Sequence, residues 1–185
     1  MNEEFNNILR KRRSVFPIQF NGEIIDDLII KEILINANTA PTHKITQPWL
    51  FKVFSKTSKI DLANEILKLK FGEDIPENEK KLFINKFHLS SHIICICLDR
   101  SDESLIPEWE EIAALAMSVQ NMWLTCSANN IGCYWSSPKI ISELNMFLKL
   151  KENQKCLGLF YIGKHDDLPK RNLRKIDITQ KTQWI

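Results

Sequence analysis

Apolar and polar positions recur along the chain with two different periods, and those periods outline a fold before composition is considered. Over 2–11, Phe5, Ile8 and Leu9 fall at helical spacing and predict a short amphipathic helix that ends in Arg10-Lys11-Arg12-Arg13-Ser14. Pro17 and Asn21-Gly22 then interrupt the pattern. Over 25–37, Ile25, Leu28, Ile29, Ile33 and Ala37 predict a core-facing helix, and the aromatic run 49–54 predicts a strand. Helices are predicted over 58–69 and 77–87. The continuous apolar run 93–98 has strand length and predicts a central strand covered on both faces. The longest helical pattern, 109–129, is apolar nearly all round in its middle, so it predicts a buried helix that needs a second subunit to cover one side. Gly132 is placed to cap it. A helix over 138–148 and a strand over 156–162 follow. Helices interleaved with three or four strands predict a layered α/β or α+β fold.

Length and composition narrow this picture. A chain of 185 residues predicts one domain over 1–185, large enough for a core without disulfides or a structural metal. With 44% hydrophobic and 26% charged residues, disorder and collagen are excluded. Only five glycines are present, and none spells GxGxxG or GxxxxGK[ST], so any phosphate must be held by side chains. A net charge of +2 gives no support for a nucleic-acid or membrane partner. The five cysteines are odd in number, form no CxxC and sit mostly in apolar runs, as reduced thiols of a cytoplasmic protein do. The first residues lack the charge order of a secretory signal, and no apolar stretch approaches the ~20 residues that span a bilayer. The expectation is a soluble, cytoplasmic protein.

Several clusters carry candidate chemistry. The basic run Arg10 to Arg13 has three readings: a solvated helix end, a nucleic-acid patch, or a phosphate clamp. The first is favoured by the helix dipole and the second disfavoured by the lack of interleaved aromatic residues. For the third, arginine offers a fork of donors matching phosphate oxygens, and Ser14 adds a hydroxyl beside it. The loop Ala40-Pro41-Thr42-His43-Lys44-Ile45-Thr46-Gln47-Pro48-Trp49 reads either as a proline-stiffened connector anchored by Trp49 or as a donor-rich rim for a polar ring system. Gly132 to Ser137 reads equally as a strand with an aromatic core plug. His88 and His92 have the spacing of two zinc ligands on one helix face, but the Glu of HExxH and a third ligand are missing. A capped helix end is preferred, and no metal site is expected. Cys95 and Cys97 project to one face of a buried strand and read as inert packing.

In this order, the segments resemble the nitroreductase family of flavin enzymes. Arg12-Arg13-Ser14-Val15 resembles its RRSVR signature, and Ala40-Pro41 through Gln47-Pro48-Trp49 resembles its APSSxNxQPW loop. Gln120-Asn121 through Ile131-Gly132-Cys133-Tyr134-Trp135 resembles its QNLxLxAxxxGLGxxW stretch, and Leu157 to Gly163 the strand before its basic C-terminal segment. His43 and Lys44 match a small single-domain bacterial subgroup whose loop reads APxHKxxQPW. Ile45 stands where the broader family has an Asn facing the flavin, which moves the expected loop contacts to His43 and Thr39.

The resemblance implies an α+β three-layer fold, with a central mixed β-sheet flanked by helices and the long buried helix at a dimer interface. It implies FMN as cofactor and NADH or NADPH as co-substrate. Arg12, Arg13 and Ser14 would grip the phosphate and ribityl chain, Thr39 and His43 would line the flavin from the partner subunit, and Trp135, Ser136 and Ser137 would contact it from the strand. Arg174, with Arg171 as second candidate, would be the C-terminal phosphate-binding arginine. The implied activity is ping-pong reduction of nitroaromatic, quinone-like or other electron-poor small molecules by a homodimer. The alternatives within this resemblance are a non-catalytic flavin-binding protein and a flavin-fragmenting or dehalogenating member of the same superfamily.

Overall fold

The computed structural model describes residues 2–101, 106–169 and 176–185. Helix α1 (Glu3–Lys11) is started by the Asn2 side chain, which accepts the Phe5 N–H, and has Glu3 and Glu4 at its positive end and Arg10 and Lys11 at its negative end. Helix α2 (Asp27–Ala37) starts from Asp26, whose carboxylate accepts the Leu28 N–H. Strand β1 (Trp49–Ser55) is joined to β2 (His92–Asp99) by the helix pair α3 (Ser58–Phe71) and α4 (Glu77–Leu89). Helix α5 (Glu108–Ala128) then leads to β3 (Gly132–Ser136), and β4 (Gln154–Gly163) follows. The segment 138–148, expected as an α-helix, forms a 3₁₀ stretch over Lys139–Asn145 that still buries Ile141 and Leu144.

The strands lie in the order β1-β2-β4-β3, and all three pairings are antiparallel. The expected mixed sheet is corrected by connection parity. Two helices between β1 and β2 return the chain in the opposite direction, whereas the single helix α5 leaves β2 and β3 running the same way. Insertion of β4 between β2 and β3 then prevents a parallel ladder.

Strand β2 shows how the layers form. Ile93, Cys95 and Cys97 face a cluster with Leu62 and Ile66 of α3 and Phe87 of α4. Ile94, Ile96 and Leu98 face the other way, onto Ile33 of α2 and Leu115, Val119 and Met122 of α5. Each fully buried aliphatic side chain contributes about 1.5–3 kcal/mol, so this strand ties both helical layers to the sheet. The result is the expected three-layer α+β arrangement. All five cysteines are buried and unpaired.

Helix α5 buries Ala114, Leu115, Ser118, Val119, Met122 and Cys126 at intervals of one to four residues, while Trp109, Ile112 and Met117 stay exposed. It ends without Gly132. Asn130 takes the left-handed conformation (φ 53°), and the Ile131 N–H bonds back to the Cys126 carbonyl at 2.9 Å. Gly132 instead begins β3, where an added Cβ would lie 2.8 Å from both Phe20 and His165. Close packing, not helix capping, is what requires glycine there.

His88 and His92 do not share a helix face, because α4 stops at Leu89 and His92 opens β2. His92 is part of a polar chain joining the start of α2 to the sheet. The Ile25 N–H donates to Ser91 Oγ (2.7 Å), Ser91 Oγ meets His92 Nδ1 (2.9 Å), and His92 Nε2 meets Asp27 Oδ1 (3.0 Å). An ionised Asp27 only accepts, so Nε2 carries the proton and Nδ1 accepts from Ser91. Burial lowers the His92 pKa, against the raising effect of Asp27. A histidine held neutral by the fold stabilises it fully above the unfolded value of about 6.5, and that stability is lost as pH falls through the folded pKa. Between pH 7 and pH 5 the melting temperature should therefore fall more steeply for the native protein than for His92→Gln. Parallel curves for the two proteins would refute this.

Candidate functional site

The segment after α1 is laid along the start of β3. The Arg12 N–H bonds to the Ile8 carbonyl (3.0 Å), ending the helix, and the Val15 N–H bonds to the Cys133 carbonyl (3.0 Å). Between these two anchors the arginines diverge. The Arg12 guanidinium lies 5.0 Å over the Trp123 ring of α5. Arg13 donates from Nη1 to the Pro169 carbonyl (2.8 Å), and its Nε is buried with no hydrogen-bond partner among the described residues. Ser14, next in the chain, is half-buried.

Arg13 forms the wall of a cavity of about 590 Å³. Arg10 and Lys11 also line it, Trp123 and Ser127 come from α5, and His165, Asp167, Leu168 and Pro169 come from the segment after β4. Among the described residues, three cations against Asp167 make a concavity suited to an anion, with a buried guanidinium donor still unused. Cys133 also lines it, but burial and the neighbouring Cys126 thiol push its pKa well up, so it is an inert wall rather than a nucleophile. Arg171 and Arg174 lie outside the described residues.

From the cavity, β3 leads to Trp135 and Ser136, with Ser137 just beyond it. Cys133 and Ser137 are four residues apart, which in extended chain is about 13 Å. Trp135 lies across Gly158 of β4, where an added Cβ would come 2.1 Å from the indole Nε1. That Nε1 has no hydrogen-bond partner among the described residues. Trp135 packs against the buried cluster of Ile94, Met122 and Phe160 as an aromatic core plug, Ser136 is half-buried and Ser137 is exposed, so exposure rises along this end of the strand.

The loop between α2 and β1 is held in a strained shape. Lys44, Ile45 and Gln47 have φ of 50°, 57° and 47°, a conformation that costs most for a β-branched residue such as Ile45. Hydrogen bonds over-determine it. Asn38 Oδ1 accepts from both Gln47 Nε2 (3.3 Å) and Trp49 Nε1 (2.9 Å), and the Thr42 and Thr46 hydroxyls meet at 3.0 Å. Asn121 of α5 donates to Thr39 Oγ1 and to the Asn36 carbonyl, each at 3.2 Å. At the tip, His43 Nδ1 lies 2.5 Å from Glu110 Oε2, and Ile45 is 79% exposed.

Within one chain these parts are not all brought together. Glu110, beside His43, is thirteen residues along α5 from Trp123, or about 20 Å at 1.5 Å per residue. The Arg13 segment is anchored at the start of β3, which carries Trp135 and Ser136 and leads to Ser137, whereas His43 lies at the far end of α5. Glu110, Trp123 and Asn38 were missed by the sequence reading. The signal at Glu110 is no more than an acidic residue in the first turn of a helix, and Trp123 lies within the apolar pattern of α5. Among the described residues no His, Cys, Asp and Glu group is placed to hold a metal, and no helix is long and apolar enough to cross a membrane.

Comparison with known proteins agrees with this architecture. The model of the "Nitroreductase family" matches residues 9–164. The Bacillus subtilis (strain 168) protein YfhC, whose name assigns it to the NAD(P)H nitroreductases, is 28% identical over 168 residues, covering 88% of this chain and 85% of its own. A nitroreductase-like family protein from Bacillus cereus superposes with a TM-score of 0.85 at 24% identity, over 98% of this chain and 95% of that one. The FMN-dependent nitroreductase NfnB from Mycobacterium smegmatis, solved with NADPH, superposes with a TM-score of 0.77 at 14% identity and 98% coverage of both chains. The fold, the ordered motifs and the family match together place this chain in the nitroreductase family.

Proposed function

We propose that the protein is an FMN-dependent NAD(P)H oxidoreductase that reduces nitroaromatic, quinone-like or other electron-poor acceptors, acting in the cytoplasm as a single-domain homodimer. The observation that carries this is the basic cavity beside β3, where buried Arg13 Nε has no partner among the described residues and the strand runs on to Trp135. A volume of about 590 Å³ is of the size ordinary ligand sites have. The residues present fit FMN. Arg13, with Arg10 and Lys11, would hold its phosphate. Arg12 and Ser14 would border the ribityl chain, and Trp135, Ser136 and Ser137 the ring. Arg171 and Arg174 are proposed to add charge at the phosphate.

When bound, FMN supplies the redox chemistry, accepting hydride from a nicotinamide and passing electrons to a second substrate. The chain's own task is to bind, orient and stabilise charge. His43 and Lys44 would present donors where negative charge develops, and Thr39, whose hydroxyl already donates to the Asn36 carbonyl at 2.7 Å, would line the ring. Because His43 stands about 20 Å along α5 from Trp123, the loop that serves a given cavity is assigned to the partner subunit. Exposed apolar side chains support such pairing: Leu28 and Ile35 on α2, and Trp109, Ile112 and Met117 on α5. One open ring face serving both substrates in turn gives ping-pong kinetics.

The test is the visible spectrum of the purified protein, followed by oxidation of NADH or NADPH with nitro and quinone acceptors. A flavin spectrum with turnover is expected. A colourless protein that takes up no FMN would overturn the reading, and tight FMN binding without turnover by either nicotinamide would make it a flavin-binding protein instead.

A further inference from the structure

We propose that Glu110 is a positioning residue for His43: it fixes the imidazole proton on Nδ1 and leaves Nε2 as the nitrogen that exchanges protons at the loop surface. The inference rests on the proposed placing of His43 beside a flavin, and it adds a residue that no family motif in the sequence contains.

Three observations carry it. His43 Nδ1 lies 2.5 Å from Glu110 Oε2, in direct hydrogen-bond contact with the carboxylate. An ionised carboxylate only accepts, so the shared proton belongs to Nδ1. His43 Nε2 has no partner among the described residues, and the His43 side chain is 54% exposed against 25% for Glu110. The carboxylate is thus the sheltered member of the pair and the ring is the presented one. Finally, both ends are rigid. Glu110 sits in the first turn of α5, whose start is pinned by Arg100 to Glu111, and His43 sits in a loop with three left-handed residues held by Asn38 and Asn121. A strained loop fixed from several sides is a way of holding one ring in one orientation.

The arrangement suits proton delivery. Two-electron reduction of a quinone to a hydroquinone consumes one hydride, from the proposed NAD(P)H-fed flavin, and one proton. With both nitrogens protonated, Nε2–H gives that proton to the acceptor oxygen, and the neutral ring regains it from solvent. The Glu110 carboxylate, in contact with Nδ1, keeps that proton in place. This parallels the way a carboxylate orients histidine in hydrolase triads.

Nitrogen-15 NMR of histidine-labelled full-length protein, at alkaline pH where the ring is neutral, reads the tautomer directly, and His43→Gln identifies the signal. Native protein is expected to show Nδ1–H, and Glu110→Ala to revert to the Nε2–H form that an unconstrained imidazole favours. With NADH and a quinone, Glu110→Ala should lower kcat about tenfold at unchanged KM for NADH. A native Nε2–H signal overturns the proposal, as does an unchanged kcat in Glu110→Ala where His43→Gln lowers it. If neither variant changes kcat while the tautomer switches, the placing of His43 beside the flavin is what fails, and the proposed role falls with it.

Discussion

Arg100→Ala should destabilise the fold by about 3 kcal/mol, the largest loss expected of any single side chain at the site's margin. Glu111 is only 1% exposed, and its carboxylate is held by Arg100 Nε at 2.7 Å with the Ser101 N–H at 3.4 Å. Arg100 also donates from Nη2 to the Ile106 carbonyl at 3.1 Å and stands 3.7 Å from Glu108, which itself pairs with Lys155. Removing the cation leaves an uncompensated buried charge, which costs about 3–5 kcal/mol where the pair is fully desolvated. A third of the Arg100 side chain is exposed, so the lower end of that range applies. Denaturant unfolding measures the loss. Replacing both Arg100 and Glu111 by alanine should cost less than the sum of the single changes, because the second removes the stranded carboxylate. A loss below about 1 kcal/mol, or strict additivity, would contradict this account. The point bears on function because this cluster fixes the end of α5 from which Glu110 reaches His43.

Much of this architecture is written in periodicity. The run 93–98 reads as a strand buried on both faces because its alternate residues serve two different helical layers. The long apolar pattern after Pro107 reads as a helix needing more cover than one chain supplies, and Trp109 and Met117 are left uncovered. Strand direction was less legible, since it depends on how many helices intervene between strands and on where β4 inserts, neither of which is a local property. Gly132 misled for a similar reason. After a helix, glycine is the usual left-handed cap, but Asn130 takes that role, and the glycine answers to Phe20 and His165, distant in sequence. His88 and His92 misled because the end of α4 falls between them.

At the site, residue types were legible and partners were not. Arginine, serine and the donor-rich loop carry their chemistry in their side chains, so the segments 12–14 and 39–47 could be singled out from sequence. Nothing local says that Asn38 accepts from two side chains of the loop, or that Glu110 faces His43 rather than solvent. The same limit moved emphasis within the basic run. Arg12 is the member of the pair to which the sequence assigns the phosphate first, whereas the fold turns Arg12 over Trp123 and directs Arg13 into the cavity wall.

That difference sets the last expected result: Arg13→Ala should weaken FMN binding by about 10- to 100-fold while leaving riboflavin affinity nearly unchanged. A hydrogen bond to a charged group is worth about 1.5–3 kcal/mol, and each 1.4 kcal/mol is a factor of ten in affinity. Only FMN carries the phosphate, so the ratio of the two affinities isolates the arginine's action on that group from its hold on the Pro169 carbonyl. Arg13→Lys keeps the charge but loses the planar fork, and should fall between the native protein and Arg13→Ala. Raising the salt concentration should narrow the gap between native protein and variant for FMN, since screening weakens the charge contribution, and should leave riboflavin binding unaffected. Fluorescence quenching of each flavin on titration supplies the affinities. Equal weakening of both flavins would assign Arg13 to holding the segment 165–169 against β3, and the phosphate would then have to be gripped by Arg10, Lys11 or the basic residues beyond Pro169.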